Sequence, residues 1–246
     1  MELIILTGSS RGLGEAFAQQ LLAPNRHIIC ISRHKNMKLI ALASEAGIKL
    51  DNLEFDLTAT EHIDALTARI FAKVKLSELT AAYLINNAGT LHPMAPLSKC
   101  DCEAIDQNIK INLTAPMLLT TNFMKWAAKA AIDKRVLNIS SGAGKKPYHG
   151  WSAYCTAKAG LDHFTRCVAL EQVDAEFPVK IASVSPGVID TDMQEQIRKT
   201  SAEDFKQVGR FIDLKQSGDL LTAEAAATRL IELLMSDEFG QEPVIV

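Results

Sequence analysis

The sequence lacks the features that mark several classes of protein. It has 26 lysines and arginines against 29 aspartates and glutamates, a formal net charge of −3, and no basic block. This balance argues against nucleic acid as a partner. No apolar run approaches the ~20 residues that a membrane-spanning helix needs, so we expect no membrane insertion either.

Cysteines are few and do not form a framework. The five are Cys30, Cys100, Cys102, Cys155 and Cys167. Their number is odd, and the single close pair has no second pair to complete a zinc site or a disulfide scaffold. We therefore expect free thiols, no metal and a reducing compartment. The first strand-like run follows no basic segment and precedes no small-residue cleavage site, which favours a cytoplasmic location.

Apolar residues are abundant, at 48% of the 246. Short β-rich runs alternate with longer helical patterns, and most of the runs are apolar throughout, as is typical of parallel strands covered on both faces. The predicted strands are residues 3–6, 27–31, 53–55, 81–85, 136–139, 179–184 and 243–246. The predicted helices are residues 14–22, 62–74, 102–131, 152–176 and 223–235.

This alternation predicts an α/β fold. We expect a single domain over residues 1–246, of the Rossmann type, with a doubly wound parallel sheet of about seven strands and helices on both faces. Ligands of such sheets bind in the crevice at the carboxyl ends of the strands. Residues 192–219 are polar, weakly patterned and follow a predicted strand, so we predict a lid over this crevice.

A glycine-rich turn follows the first predicted strand and opens the first helix. Gly8, Gly12 and Gly14 permit a tight turn and let the backbone approach a pyrophosphate, and the helix N-terminus offers free N–H groups. An ordinary glycine-rich turn is the alternative, but the strand–turn–helix context favours a dinucleotide site. The spacing Gly-x3-Gly-x-Gly resembles that of the short-chain dehydrogenase/reductase family, a resemblance that covers essentially the whole chain.

The end of the second strand indicates which dinucleotide binds. NAD enzymes usually place an acidic residue there to hold the ribose diol, whereas this strand ends in Ser32 and Arg33, followed by His34 and Lys35. Arg33 could pair with a 2′-phosphate, and Arg11 in the glycine loop adds a second cation. We therefore predict NADPH; the alternative is that Arg33 and Lys35 belong to a merely solvated turn.

The resemblance implies further cofactor contacts. In the family, the element matched by Asp56 and Leu57 holds the adenine, the Asn-Asn-Ala-Gly motif at 86–89 lines the adenine ribose, and the Pro-Gly motif at 186–187 lies beside the nicotinamide. The predicted cofactor-binding residues are Gly8, Ser10, Arg11, Gly12, Leu13, Gly14, Ser32, Arg33, Asp56, Leu57, Asn87, Ala88, Gly89, Tyr154, Lys158, Pro186, Gly187, Ile189 and Thr191.

Tyr154 and Lys158 lie four positions apart in a predicted helix, so their side chains share a face. Such a pair occurs by chance on many helices, but Ser141 ends the fifth predicted strand at the offset of the family's Ser–Tyr–Lys arrangement. Asn112, by itself a residue of a helix surface or bend, matches the family's fourth active-site residue. The resemblance implies that Tyr154 donates a proton to a carbonyl oxygen, Lys158 favours its phenolate and Ser141 fixes the oxygen.

Within the family, residues 150–155, 190–194 and 236–239 are similar to those of sepiapterin reductases and bacterial benzil (diketone) reductases. Such enzymes use NADPH to reduce a carbonyl beside another carbonyl or imine. Sepiapterin reductases hold the pterin with a carboxylate whose position, in an ungapped alignment, is occupied by Val246. Residues 243–246 therefore offer no side-chain acid for a pterin. We therefore predict a carbonyl reductase of small dicarbonyls such as benzil. The predicted substrate contacts are Ser141, Trp151, Tyr154 and Met193.

Several alternatives remain open at this point. Trp151 and Met193 are equally well explained as packing residues. The substrate could instead be a pterin side-chain ketone, with the terminal carboxylate of Val246 replacing the missing acid. A non-catalytic NADPH-binding regulator is the alternative outside the enzymes. In the family, helices equivalent to 102–131 and 152–176 form a dimer interface, so we predict a homodimer, with a tetramer as the alternative.

Overall fold

The computed structural model describes residues 1–245, in which seven strands form one parallel sheet of order β3-β2-β1-β4-β5-β6-β7. The chain runs outward from the centre twice, first through β2 and β3 and then through β4 to β7. The order therefore reverses between β1 and β4, and a crevice opens there at the carboxyl ends of the strands. The strands are β1 Glu2–Thr7, β2 Arg26–Ser32, β3 Lys49–Glu54, β4 Ala81–Asn86, β5 Asp133–Ile139, β6 Lys180–Val184 and β7 Val244–Ile245.

Helices cover both faces of the sheet. A π-helical turn, Lys110–Thr114, joins α4 directly to α5, and short 3-10 turns occur elsewhere, as at Thr60–His62 before α3. The α-helices are α1 Gly12–Leu21, α2 Met37–Glu45, α3 Ile63–Phe71, α4 Cys102–Ile109, α5 Ala115–Ala127, α6 Ser152–Glu171, α7 Asp192–Lys199, α8 Val208–Gln216 and α9 Ala223–Met235.

The two-faced burial of the sheet explains why its strands are apolar throughout. Successive side chains of a strand point to opposite faces, and both faces are covered here. Ile4 of β1 packs with Phe17 and Leu230 from α1 and α9. Its neighbour Leu3 packs in a second core with Phe123 and Val168 from α5 and α6. The predicted single-domain doubly wound fold is therefore confirmed.

Some predicted boundaries were wrong. β3 begins at Lys49 and not at residue 53. The prediction missed its start because this half-exposed edge strand contains no apolar run. The helix α2, of whose nine residues only two are buried, was not predicted. The helix predicted over 102–131 is interrupted by the π-helical turn and ends at Ala127. Two helices, α7 and α8, occupy the segment predicted as a weakly patterned lid. Of the strand predicted at 243–246, the last residue lies outside the described part of the chain.

Candidate active site

A cavity of about 880 Å³ lies at the crevice where the sheet order reverses. It brings together every predicted site residue except Asn112, although these residues come from segments that span most of the chain. The predicted residues that line it are Gly8, Ser10, Arg11, Gly12, Leu13, Gly14, Ser32, Arg33, Asp56, Leu57, Asn87, Ala88, Gly89, Ser141, Trp151, Tyr154, Lys158, Pro186, Gly187, Ile189, Thr191 and Met193.

The glycine loop is packed so closely that side chains would not fit. Gly8 has φ +71°, and a Cβ there would lie 2.8 Å from the Cα of Ala88. A Cβ at Gly14 would collide with the carbonyl oxygen of Gly8. No side chain caps the N-terminus of α1, where the preceding residue is Arg11. The first turn of α1 therefore presents uncapped N–H groups and a positive dipole end toward the cavity, as suits a phosphate.

Thr7 and Asn87 hold the glycine loop against the end of β4. The Thr7 hydroxyl accepts hydrogen bonds from the backbone N–H groups of Asn87 and Ala88, both at 3.0 Å. The Asn87 side chain in turn donates to the carbonyl oxygens of Thr7 (3.0 Å) and Gly8 (3.3 Å). Sequence reasoning missed Thr7, whose position at the end of a buried strand is the only available signal.

Tyr154 is buried in the wall of the cavity, on the first turn of α6. Burial raises the pKa of Tyr154 to about 12, and the neighbouring Ser141 hydroxyl acts in the opposite direction. The phenol therefore keeps its proton at neutral pH. Ser141 is held at the end of β5, where its hydroxyl accepts from the backbone N–H of Ala143 at 3.2 Å. Both hydroxyls are thus fixed at one point of the cavity.

Lys158 lies one helical turn beyond Tyr154 and is also buried. Its Nζ is 5.7 Å from the centroid of the Tyr154 ring and donates to the carbonyl oxygen of Ile139 at 2.8 Å. Burial lowers the pKa of Lys158 to about 8, and the charge of Asp162 opposes this shift. Asp162, which the sequence did not single out, is itself buried and accepts from the Ser183 hydroxyl at 2.7 Å.

Asn112 lies behind the cavity, in the π-helical turn, and does not line it. Its amide donates to the carbonyl oxygen of Thr90 (2.8 Å), and its Oδ1 accepts from the backbone N–H of Thr90 (3.1 Å). A Cβ on Gly89 would lie 3.0 Å from the same Oδ1. Asn112 therefore fixes the loop that follows β4, whose residues do line the cavity.

The two arginines of the predicted phosphate site differ in their surroundings. Nη1 of Arg11 lies 2.7 Å from Oδ2 of Asp192, the first residue of α7. Arg33 lines the cavity at the end of β2, and within residues 1–245 no carboxylate lies within 4.0 Å of it. Its neighbour Lys35 lies 3.4 Å from Glu54 and does not line the cavity.

Aromatic rings form one end of the cavity and its support. Trp151 stacks on Phe205 with centroids 4.4 Å apart, and its edge meets Tyr154 at 5.8 Å. Phe211 and Tyr148 lie 5.7 and 5.1 Å from Trp151. Sequence reasoning placed Trp151 but missed Tyr148, Phe205 and Phe211, because no local motif marks them.

Residues of the segment 192–219, among them Met193, Ile197 and Phe211, line the cavity. Besides the ion pair between Asp192 and the glycine loop, Asp204 lies 3.0 Å from Lys99 of the loop after β4. A Cβ on Gly150, which has φ +83°, would collide with the carbonyl oxygen of Asp204. The segment is thus held by ion pairs to the glycine loop and to the loop after β4.

Two other kinds of site receive no support in the described residues. Among residues 1–245, no helix has the length and apolar character needed to cross a membrane. In the same part of the chain, no three His, Cys, Asp or Glu side chains are grouped so that they could hold a metal ion.

A family model for short chain dehydrogenases matches residues 2–202. The chain belongs to the short-chain dehydrogenase family. A benzil reductase of Bacillus cereus, described as forming (S)-benzoin, is 47% identical over 245 residues, which cover 100% of this chain and 98% of the relative. The corresponding enzyme of Bacillus subtilis is 39% identical (95% and 93% covered). The sepiapterin reductase of Bos taurus is 30% identical (96% and 91% covered).

Solved structures agree with the fold of this short-chain dehydrogenase. The crystal structure of the KRED1-Pglu enzyme is 27% identical, with a TM-score of 0.82 and 100% of both chains covered. An Agrobacterium tumefaciens structure described as a 2-deoxy-D-gluconate 3-dehydrogenase with bound NADP has a TM-score of 0.80 over 100% of this chain and 93% of that one, at 21% identity, which shows the fold alone. The family and these relatives show that the protein is an oxidoreductase that acts on carbonyl or alcohol groups. The family also supports a nicotinamide cofactor.

Proposed function

We propose that this protein is an NADPH-dependent carbonyl reductase of small α-dicarbonyl compounds of the benzil type, with Tyr154 as the general acid. The observation that supports this most directly is the meeting of Tyr154, Ser141 and Lys158 in one cavity whose far wall is aromatic. The benzil reductases at 47% and 39% identity support the substrate class.

The residues present fit a dinucleotide. Because the glycines carry no side chains, the backbone of the loop can approach a pyrophosphate closely. The uncapped first turn of α1 suits the negative charge of the pyrophosphate. We infer that Gly8, Gly12 and Leu13 hold the pyrophosphate, Asp56 and Asn87 the adenosine, and Ile189 and Thr191 the nicotinamide end. Arg33 is a cation without a carboxylate partner among residues 1–245, as suits a 2′-phosphate. The cofactor, when bound, supplies the hydride for the carbonyl carbon.

The protein's own task is to place and protonate the carbonyl oxygen. Ser141 donates a hydrogen bond to that oxygen and fixes its position beside Tyr154. As negative charge develops on the oxygen, the Tyr154 phenol transfers its proton to it, which completes the alcohol. With a pKa of about 12, the Tyr154 phenol carries its proton at neutral pH. Lys158, with its Nζ 5.7 Å from the ring centroid, stabilises the phenolate that remains.

The charges around the substrate end favour a dicarbonyl over a pterin. The acidic side chains that line the cavity within residues 1–245 are Asp56 and Asp192. Asp56 follows β3 at the adenosine end, and Asp192 is paired with Arg11. A pterin's amino-pyrimidine edge would lack an acidic partner here, at a cost of about 1–3 kcal/mol if it is buried. The terminal carboxylate of Val246, proposed as a substitute, lies outside the described residues.

NADPH oxidation in the presence of benzil, a simple diketone and sepiapterin tests the proposal. We expect benzil to be reduced with the highest kcat/KM. Preferred turnover of sepiapterin would favour the pterin enzyme, which relatives at about 30% identity also suggest. Tight NADPH binding without turnover of any carbonyl would favour a regulator.

Replacement of the general acid is the sharper test. Tyr154→Phe should lower kcat by at least about 100-fold, since positioned proton donors contribute that much or more, while NADPH binding and the circular dichroism spectrum stay unchanged. Tyr83→Phe is the matched control, because Tyr83 is also a buried tyrosine but does not line the cavity. Near-normal turnover by Tyr154→Phe would overturn the assignment.

We also propose that the protein is a cytoplasmic homodimer that pairs through α5 and α6. Both helices cover the same face of the sheet. They also expose large apolar side chains, Met117 on α5 (37% exposed) and Leu170 on α6 (75% exposed).

A further inference from the structure

Arg210 is a cation at the substrate end of the cavity whose role the reaction itself does not explain. It lies on α8 and lines the cavity that holds Tyr154. No carboxylate of residues 1–245 lies within 4.0 Å of its guanidinium. Three other cations of the same segment do have such partners, whereas Lys206, which does not line the cavity, has none among residues 1–245: Arg198 and Lys215 lie near Asp190, and Lys199 near Glu195.

Arg210 is exposed at the cavity, and two contacts orient its guanidinium while leaving most of its donors open to solvent or a ligand. Its Nη1 donates to the Tyr148 hydroxyl at 3.4 Å, and its Cζ lies 5.8 Å from the centroid of the Phe211 ring. A guanidinium has five N–H donors, and the rest of those on Arg210 have no acceptor among the described residues. The Tyr148 ring lies 5.1 Å from Trp151, which lies 5.8 Å from Tyr154. The guanidinium is thus connected to Tyr154 by a row of rings in contact, from Tyr148 to Trp151 and from Trp151 to Tyr154.

The surrounding charges would not repel an anion at this end. Asp192 is one of two acidic side chains lining the cavity within residues 1–245, and it is paired with Arg11. The other, Asp56, follows β3 at the opposite end of the site. A carboxylate brought in by a ligand would therefore meet Arg210 as a cation without a competing partner.

We propose that Arg210 and the Tyr148 hydroxyl form a subsite for a carboxylate that the substrate carries at the end remote from the reacting carbonyl. The guanidinium fork binds a carboxylate through two parallel N–H groups, and the row of rings accommodates the aryl group between the two ends. The preferred substrates are then anionic aryl dicarbonyls. This subsite rests on the proposed carbonyl reductase function and specifies its substrate class.

A matched set of three substrates tests the subsite: benzil, 4-carboxybenzil and its neutral amide, 4-carbamoylbenzil. The wild-type protein should prefer the carboxylate to the amide by about tenfold in kcat/KM, mainly through KM, as one charged hydrogen-bonded contact allows. Arg210→Gln should abolish this preference and Arg210→Lys should keep part of it. Lys206→Gln, which removes a neighbouring cation that does not line the cavity, should leave the preference intact. Added salt should reduce the preference of the wild-type protein for the carboxylate over the amide.

The outcomes separate this inference from the proposed function. The subsite would be overturned if the wild-type protein and Arg210→Gln preferred the carboxylate equally, since the preference would then not depend on Arg210. It would also be overturned if Lys206→Gln lost the preference to the same extent, since the loss would then be a general effect of removing a positive charge. If none of the three substrates were reduced with NADPH, the proposed carbonyl reductase function would be overturned instead.

Discussion

Burial shifts the pKa values of the two side chains at the centre of the site in opposite directions. Removal from water disfavours a charged group, so it raises the pKa of an acid and lowers that of a base. The pKa of Tyr154 rises to about 12 and that of Lys158 falls to about 8. At neutral pH the phenol retains the proton that it donates in the proposed reaction, while Lys158 still carries most of its charge.

The buried charge of Lys158 should cost stability, and Lys158→Met should recover it. Because burial lowers the pKa from 10.5 to about 8, the charged form is disfavoured in the folded protein by about 3 kcal/mol at pH 7. Loss of the hydrogen bond to Ile139 offsets about 1 kcal/mol of the gain. We expect the free energy of unfolding, measured in urea, to rise by about 2 kcal/mol at pH 7.

The sign of this effect fixes its pH dependence. The destabilisation is fully present below about pH 8, where folded and unfolded chains are both protonated at Lys158, and it fades toward pH 10.5 as the unfolded chain also loses the proton. The gain in Lys158→Met should therefore be close to zero at pH 10. Lys206→Met, at an exposed position, should change stability at neither pH. A gain of the same size at both pH values would contradict the argument.

Arg33 should decide between the two nicotinamide cofactors. Arg33→Asp removes the cation proposed to bind the 2′-phosphate and adds a repulsive charge, so the ratio of kcat/KM for NADPH to that for NADH should fall by about 100-fold. Lys35→Asp is the control, because Lys35 lies near Glu54 and does not line the cavity. If the ratio is unchanged in Arg33→Asp, this residue is not the discriminator.

The secondary-structure elements differ in how far the sequence predicts them. Buried strands such as β1 and β4 are apolar runs and were predicted within one residue at each end. β3 and α2 were misplaced or missed because they lie at the sheet edge and bury little. The π-helical turn within 102–131 was not predicted, although a helix bend was considered at Asn112; the contact between Asn112 and the distant Thr90 is not recorded in any local pattern.

The two ends of the candidate site also differ in how far the sequence predicts them. The proposed cofactor end is made by short local motifs, because the glycines, Asn87 and the 186–187 turn each follow a strand. The sequence alone therefore indicates this end. The substrate end is made by side chains from distant segments. Tyr148, Phe205 and Phe211 meet around Trp151 only after the chain has folded, and no spacing in the sequence records that contact.

The segment 192–219, which we predict to be a lid, should respond to a change at Gly150. A Cβ there would collide with the carbonyl oxygen of Asp204, and φ +83° is strained for any L side chain. We expect Gly150→Ala to displace the segment, raising KM for the carbonyl substrate and the rate of proteolytic cleavage within 192–219. The Kd for NADPH should change little, because the glycine loop lies elsewhere in the cavity.

A second glycine separates displacement from backbone strain. Gly47 also has a positive φ, +64°, but nothing lies within 4 Å of a Cβ placed on it. Gly47→Ala should therefore lower stability by about 1 kcal/mol without changing KM or the cleavage pattern. If both variants raise KM equally, the lid is not held in place at Gly150.

For the whole molecule, the proposed pairing through α5 and α6 makes a prediction about mass in solution. Scattered exposed apolar residues are ordinary, but Met117 and Leu170 lie on two helices that cover one face of the sheet. Burial of this face against a second copy would remove both side chains from water without blocking the cavity at the carboxyl ends of the strands. We expect sedimentation of the wild-type protein to give about twice the chain mass of 26.8 kDa.

Two glutamates on this face should separate the copies. In the double variant Met117→Glu/Leu170→Glu, an unpaired charge would be buried on each side of the interface, a cost of several kcal/mol that an ordinary dimer cannot offset. Sedimentation should then give a single chain. Met37→Glu places the same charge at an apolar side chain that is 67% exposed on α2, outside the helix pair, and should leave the dimer intact. A wild-type monomer, or dissociation caused equally by Met37→Glu, would contradict pairing through α5 and α6.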